Sequence, residues 1–535
     1  MIVDRLRGKA SDAGFQLKVL RDTGIVSPMR PDRTARVLRT LIKGGTTPAT
    51  ATRIAAIKYA ERTFIIDERG SLTFEEVHHR TNSLARAFQR IGIGPGDGIA
   101  IMCRNHRGFV EANLAASKIG ATALFLNTMF SGPQLAEVVE REGPRVLVHD
   151  EEFSGLLAGV SKNVTRVVAL GESGREQLSL ERLIASEGSE DLPFPTQAAR
   201  FIILTSGTTG APKGAQRKSP NGLGALAGLF DRIPHRSGET MVIAAPLFHS
   251  WGFINSVFAL TLGATMVLEN RFDPRRTMEL IDRYSADVLV AVPVMLQRIL
   301  DLPPEVSARF RADHLTITTL SGSALPGGLA TRWMDRYGDS VYNLYGSTEV
   351  AFVSIAKPEE LRIDAATAGR PPRGTAVRLL DDEHREVAVG ETGRVFVKND
   401  MTFEGYTGGQ DKERLDGFVS SGDVGHFNED GLLFVDGRDD EMIISGGENV
   451  FPGEVEDLIA AHEDVVEVAV IGVEDEKFGQ ALKAWVVLVE DDAIDEAAIK
   501  AHVRQNLASY KTPKEVVFIA ELPRNATGKI LKRSL

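Results

Sequence analysis

Between Thr73 and His149 the sequence switches repeatedly between helical and strand periodicity, and that alternation restricts the fold more than any other feature. Thr73-Phe-Glu-Glu76 reads as a capping box, in which hydroxyl and carboxylate satisfy backbone N–H groups at a helix start. It opens a helix that runs to about Ile91 and precedes a strand at Ile99–Cys103. A helix near Phe109–Ile119 is followed by a strand at Ala121–Leu126, and one near Gln134–Arg141 by a strand at Arg145–His149. Farther on, a helix at Pro274–Tyr284 leads into a strand at Val288–Val292. Serial αβ units predict an α/β fold with a mostly parallel, doubly wound sheet. Ligands bind such sheets beyond the carboxyl ends of the strands.

The segment Phe201-Ile-Ile-Leu204 has the composition of a short buried strand and ends in such a place. It runs into Thr205, Ser206, Gly207, Thr208, Thr209 and Gly210, then Pro212-Lys213-Gly214. Glycines let backbone approach a ligand, successive N–H groups can cradle an anion, and Lys213 adds a point charge suited to phosphate. This is no Walker A loop, because Pro212 rather than glycine precedes the lysine. By composition alone, a surface loop explains the string equally well.

The chain has 535 residues, room for three or four domain-sized units, with 43% apolar and 25% charged residues. A net charge of −11 argues against general nucleic-acid binding. The single cysteine, Cys103, excludes an intramolecular disulfide and a cysteine-cluster metal site, and its apolar surroundings point to packing. The start of the chain lacks the apolar core of a signal peptide, and Gly252–Leu268 suits a helix and strand better than a membrane span. A cytoplasmic protein is expected. Residues 1–45 differ, with ten Lys/Arg against four Asp, hence +6. There Arg33–Lys43 predicts a helix with Val37, Leu38, Leu41 and Ile42 on one side and arginines on the other. Such a helix suits an anionic membrane surface or, preferably, docking on the main body.

Further motifs follow. Pro246-Leu-Phe-His249-Ser-Trp251 holds a histidine among aromatics, ordinarily a packing arrangement. Gly322-Ser323-Ala324 is a small-residue strand end. In Asn343-Leu-Tyr345-Gly346-Ser347-Thr348-Glu349 the tyrosine offers a flat face, the threonine a hydroxyl and the glutamate a hard oxygen for Mg²⁺. Residues 370–436 alternate short strands with glycine turns, as in a small antiparallel unit. Within it Ser421-Gly-Asp423-Val-Gly425 would ordinarily be a turn. Arg438-Asp-Asp440-Glu441 and Gly446-Gly447 precede about 95 residues of α+β pattern, which end in Pro523-Arg-Asn-Ala-Thr-Gly528-Lys529-Ile530.

Together and in this order, these motifs resemble the adenylate-forming superfamily of acyl-CoA synthetases, luciferases and peptide-synthetase adenylation domains. The likeness covers nearly all of the chain from residue 47. It implies a large domain of doubly wound sheets plus a β-barrel-like unit over residues 47–437, a hinge at 438–440 and a mobile α+β lid over 441–535, with 1–46 as a basic extension. The implied substrates and cofactors are ATP, Mg²⁺, CoA and a carboxylic acid, with medium- to long-chain fatty acids favoured over aryl or sterol-derived ones. The resemblance assigns the 205–210 loop and Lys213 to phosphates, Gly322–Ala324, Asn343 and Tyr345–Thr348 to the nucleotide, and Asp423 and Arg438 to the ribose. It assigns Glu349 to the metal, Asp440 to the hinge, Gly446 and Gly447 to the pantetheine arm, His249 and Trp251 to the acyl pocket, and Lys529, with Glu349 and His249, to catalysis. The departure Asp440-Glu441, where many relatives carry Lys-Asp or Asp-Asp, leaves the hinge reading intact. Two other readings stay open: an acyl-AMP ligase that loads a carrier protein, and an inactive nucleotide- or lipid-binding relative.

Overall fold

The computed structural model describes residues 2–45, 47–171, 178–205, 213–217, 224–409, 411–441, 443–445, 448–475, 479–490, 493–525 and 528–535. Among the described residues there are four sheets. The eight-stranded sheet runs in the order 354–356, 341–345, 317–320, 288–291, 240–243, 265–268, 63–67, 70–73. Its inner pairings are parallel, and only the two edge strands are antiparallel. The seven-stranded sheet runs 405–406, 213–217, 201–205, 122–125, 98–102, 146–149, 165–168, again parallel at its centre. Helices cover these sheets, so a strand such as Val288–Ala291 is buried along its whole length. That is why it reads as an unbroken apolar run rather than an alternating one.

A five-stranded antiparallel sheet spans residues 376–438, and a separate five-stranded sheet spans 443–518. The latter has its own core, which includes Ile443, Val455, Ile459, Val470, Leu482 and Ile499. The fold is therefore α/β, with large doubly wound sheets, a small β unit and a small α+β C-terminal domain. One element differs from the sequence reading. Ser421–Gly425 lies inside the ten-residue strand Phe418–Phe427, not in a turn. A register shift between Val424 and Gly425 absorbs the local irregularity, and Gly425 has no room for a side chain because Phe434 O would lie 2.2 Å from its Cβ.

The capping box forms as expected, with Thr73 and Glu76 bonding reciprocally at the start of helix Phe74–Arg90. That helix carries a buried polar network. Lys118 Nζ donates to His78 O, Thr81 Oγ1 and Asn82 Oδ1 at 2.9, 2.7 and 2.7 Å, and His78 Nε2 meets Asp191 Oδ1 at 2.7 Å. Burial drives the pKa of His78 from 6.5 down to about 4. The unfolded chain therefore takes up a proton below pH 6.5 that folded His78 refuses until about pH 4. This contribution to stability is complete above pH 6.5 and is lost as the pH falls through that window. The thermal midpoint should drop between those pH values, and should drop less in His78→Gln.

Candidate active site

Four neighbouring strands of the large sheet send their carboxyl ends to one edge. They are Thr240–Ile243, Val288–Ala291, Ile317–Leu320 and Val341–Tyr345. From these ends come the turn to His249, the Val292–Val294 segment, Gly322–Ala324 and Asn343–Glu349. The topology thus gathers motifs that are up to a hundred residues apart in the chain.

His249 ends the turn and starts the helix Ser250–Leu262. Its Nε2 is sealed from solvent and makes no hydrogen bond. Burial pulls its pKa down to about 4, so the ring is neutral near pH 7. The turn is fastened by Asn105, whose Nδ2 donates to Ile243 O at 3.2 Å and Ala245 O at 2.9 Å, and whose Oδ1 accepts from Leu247 N at 2.8 Å. Sequence reasoning missed Asn105; its one signal is a polar residue directly beyond a buried strand. Ser250 Oγ lies 3.2 Å from Thr348 Oγ1, which joins the histidine turn to the Tyr345–Glu349 segment. Trp251 is buried, with its indole N–H donating to Ala291 O at 3.0 Å, so its ring packs beneath this edge.

Gly346 is required by close approach, because a Cβ there would lie 2.0 Å from Ala351 O. The tight turn that follows aims Glu349 at Tyr406, whose hydroxyl donates to Oε1 at 2.8 Å. Burial and the Glu349 charge push the Tyr406 phenol well above its usual pKa. Tyr406 sits on a two-residue strand beside Lys213–Arg217, and Lys213 Nζ lies 5.5 Å from the centre of its ring. A carboxylate, a phenol and an ammonium from three segments therefore meet. Tyr406 was also missed; Glu404-Gly-Tyr-Thr-Gly gives little beyond an aromatic beside glycines.

Across the site, Asp423 Oδ2 accepts from the Tyr345 hydroxyl at 2.5 Å, and Asp423 Oδ1 lies 3.3 Å from Arg438 Nη1. Asp423 and Arg438 are direct partners on adjacent antiparallel strands. Burial raises the Asp423 pKa, against the pull of the Tyr345 bond, Arg438 and Lys529. The Tyr345 phenol is pushed well above its usual value by burial and by that carboxylate. Asn343 Oδ1, midway along the strand that ends at Tyr345, is buried without a hydrogen-bond partner.

Lys529 reaches this place from the other end of the chain. Its N–H donates to Asn525 Oδ1 at 2.9 Å, and Gly528, at φ +77°, closes the turn. A Cβ on Gly528 would lie 2.2 Å from Val294 Cγ1, so the C-terminal domain rests on the strand-end edge. Lys529 is exposed, yet its charge is felt at Asp423. Of the remaining candidates, Ser323 Oγ turns to Ala324 O at 3.4 Å, and the backbone of Thr205 pairs with Lys213. Ser206, Gly207, Thr208, Thr209, Gly210, Gly446 and Gly447 lie outside the described residues. Asp440 falls in the short 3₁₀ turn Asp439–Glu441 that joins the two parts.

A second cluster lies elsewhere. Cys103, His106 and Asp150 are buried with ligand-type atoms within 4.8 Å of one another. His106 Nδ1 accepts from Gly108 N at 3.0 Å, so Nε2 carries the proton that faces Asp150 Oδ1 at 2.8 Å. A nitrogen that bears a proton offers no lone pair to a metal. Burial raises the Cys103 pKa far above its usual value, and the trio reads as a structural latch.

Comparison with known proteins agrees with this geometry. Residues 53–407 match the family described as AMP-binding enzyme, and residues 454–529 match the AMP-binding enzyme C-terminal domain. The chain is 32% identical over 484 residues to a 2-succinylbenzoate–CoA ligase of Geobacillus kaustophilus, covering 89% of this chain and 94% of the relative. It is 33% identical over 471 residues to a feruloyl-CoA synthase of Amycolatopsis, covering 86% and 93%. Among solved structures it resembles ATP-bound MatB from Rhodopseudomonas palustris, with a TM-score of 0.82, 28% identity, and 91% and 98% of the two chains covered.

Proposed function

The chain belongs to the AMP-binding enzyme family, and from that premise we propose that it activates an apolar carboxylic acid, a medium- to long-chain fatty acid, and passes the acyl group to CoA. Acid–CoA ligation through an acyl-adenylate is the class of reaction to which it belongs. A carboxylate cannot expel oxide, so its oxygen attacks the α-phosphorus of ATP. Pyrophosphate leaves and acyl-AMP forms. The thiol of CoA then attacks the acyl carbon, AMP departs, and a thioester results.

The observation that carries the reading is the approach of the Lys529 turn to the edge that bears Asn343–Glu349. In the first step two anions must meet, and fixed positive charge is what the site can supply. Lys529 is proposed to hold the acid carboxylate and the α-phosphate together. Lys213 and the 205–210 loop are proposed to take the departing phosphates. Asn343 fits an adenine amino group, since its buried Oδ1 otherwise lacks a donor. Asp423 and Arg438 suit the ribose: a sugar hydroxyl can donate to the carboxylate in place of the Tyr345 phenol, whose ring face is offered to the base. The Glu349 carboxylate, next to Thr348 and bonded to the Tyr406 hydroxyl, suits Mg²⁺, which when bound would neutralise phosphate charge. Neutral His249, whose buried Nε2 has no hydrogen-bond partner, is proposed to face the acid. Asp440 is proposed as the pivot that later withdraws Lys529, and Gly446–Gly447 as the passage for the pantetheine arm.

Support for an apolar acid comes from the helix that starts at Ser250. That helix is apolar over most of its length; the cavity of about 50 Å³ lined by its Phe253, Val257 and Leu260 lies toward the amino ends of the strands at Ala123 and Phe201 and touches none of the site residues named above. A second reading, an aryl acid, is favoured by the relatives named for ferulate and 2-succinylbenzoate. The test is acid-dependent ATP–pyrophosphate exchange over fatty acids of rising length and aryl acids, followed by thioester formation with CoA or a holo carrier protein. Fatty acids should drive exchange best and CoA should accept. Preference for aryl acids would establish the second reading, acceptance by carrier protein alone would make the chain a carrier-loading ligase, and no exchange with any acid would mark an inactive relative.

A further inference from the structure

We infer that the helix Pro31–Gly44 is a docking face for an anionic phospholipid bilayer. Its orientation on the body is set on one side. Val37 and Thr40 are buried, and Gly44 is pressed so closely to the next helix that a Cβ would meet Thr50 Oγ1 at 2.3 Å and the Phe194 ring at 2.4 Å. The helix is held by that face, and the opposite one is left to solvent. Val37 thus parts from its sequence neighbours: Leu38, Leu41 and Ile42 remain 54%, 38% and 84% exposed. Spaced i, i+3 and i+4, they form one continuous apolar stripe. Arg39, Lys43 and Arg36 follow on the adjoining strip of the same outer surface, all exposed.

An apolar stripe alone would leave the occupant open; the cations beside it decide. A helix lying in a membrane interface sets its apolar side at the acyl boundary and its lysines and arginines among the phosphates. Residues 1–45 carry +6, and the remaining chain carries −11 − 6 = −17, so an anionic surface attracts this segment and repels the rest. The segment also concentrates exposed apolar side chains. Leu17, Val26, Leu38, Leu41 and Ile42 are five of the fourteen large exposed hydrophobic residues among the described residues, within less than a tenth of the chain. The bilayer would thereby meet the enzyme in one orientation, whatever acid it activates.

The experiment is co-sedimentation of the full chain with vesicles of phosphatidylcholine alone or of phosphatidylcholine with phosphatidylglycerol, at low and high salt. The full chain should bind the anionic vesicles at least about tenfold better, with binding weakened by salt. Leu38→Ser with Ile42→Ser should lower that binding by about tenfold or more, and Arg39→Ala with Lys43→Ala should remove most of its salt dependence. Both variants should keep the parent rate of thioester formation on a water-soluble acid, which separates this inference from the proposed reaction. Equal binding by the serine variant, or no preference for anionic lipid, would overturn it. So would a parent dimer that the serine variant abolishes without any vesicle binding, since a second copy would then be the occupant.

Discussion

Replacing Lys529 by alanine is expected to lower acyl-adenylate formation by about 10²–10³-fold, while thioester formation from supplied acyl-adenylate stays within about threefold of the parent. The expectation rests on where the lysine acts. Its turn is seated on Val294 and its charge reaches Asp423, so in this arrangement it faces the end of the site proposed for the nucleotide. Without it, the acid carboxylate and the α-phosphate approach with one cation fewer. Thiol attack on acyl-AMP brings no second anion to the α-phosphate, and the proposed pivot at Asp440 would by then have carried the lysine away. Gly528→Ala gives an independent handle. Its Cβ would lie 2.2 Å from Val294 Cγ1 at a backbone angle that favours glycine, so it should disturb seating while leaving the charge in place. It too should slow adenylation more than thioester formation. Pyrophosphate exchange and single-turnover thiolation measure the two half-reactions separately. Equal loss in both would remove the pivot at Asp440 from the mechanism.

Glu349→Gln is the second large effect. Glutamine keeps the shape and can still accept the Tyr406 hydrogen bond, but it removes the negative charge that suits Mg²⁺. Pyrophosphate exchange is expected to fall by about 10²-fold and the half-saturating Mg²⁺ concentration to rise by about tenfold. Tyr406→Phe removes only the 2.8 Å bond to Oε1 and should cost about fivefold, the worth of a single hydrogen bond near 1 kcal/mol. Titration of exchange activity against Mg²⁺ distinguishes the two. An unchanged Mg²⁺ dependence in Glu349→Gln would show that the carboxylate orients Tyr406 and Lys213 instead of holding metal.

Much of the site was legible because its residues carry their chemistry in local strings. The tyrosine-to-glutamate segment at 343–349 and the terminal Gly528-Lys529 each combine a backbone constraint with a reactive side chain, while the glycine-rich loop after Phe201–Leu204 lies outside the described residues. Asp423 was recognised with the wrong local structure. Its flanking glycines suggest a turn, but cross-strand pairing with Arg438 holds it within a strand. Asn105 and Tyr406 escaped because neither stands in such a string. Each acts through a hydrogen bond to a partner far along the chain, at Ala245 and Glu349 respectively.

The sequence by itself determined the αβ alternation, the composition of the strand ends and the family resemblance, because helical and strand periods and short backbone-constrained motifs are local properties. Only the tertiary structure decided which ends share an edge. It also decided that Val37 turns inward while Leu38 and Ile42 face solvent, and that the turn at Gly528 rests on Val294, more than two hundred positions earlier. Sheet order and docking between domains depend on packing between segments far apart, which no local pattern records.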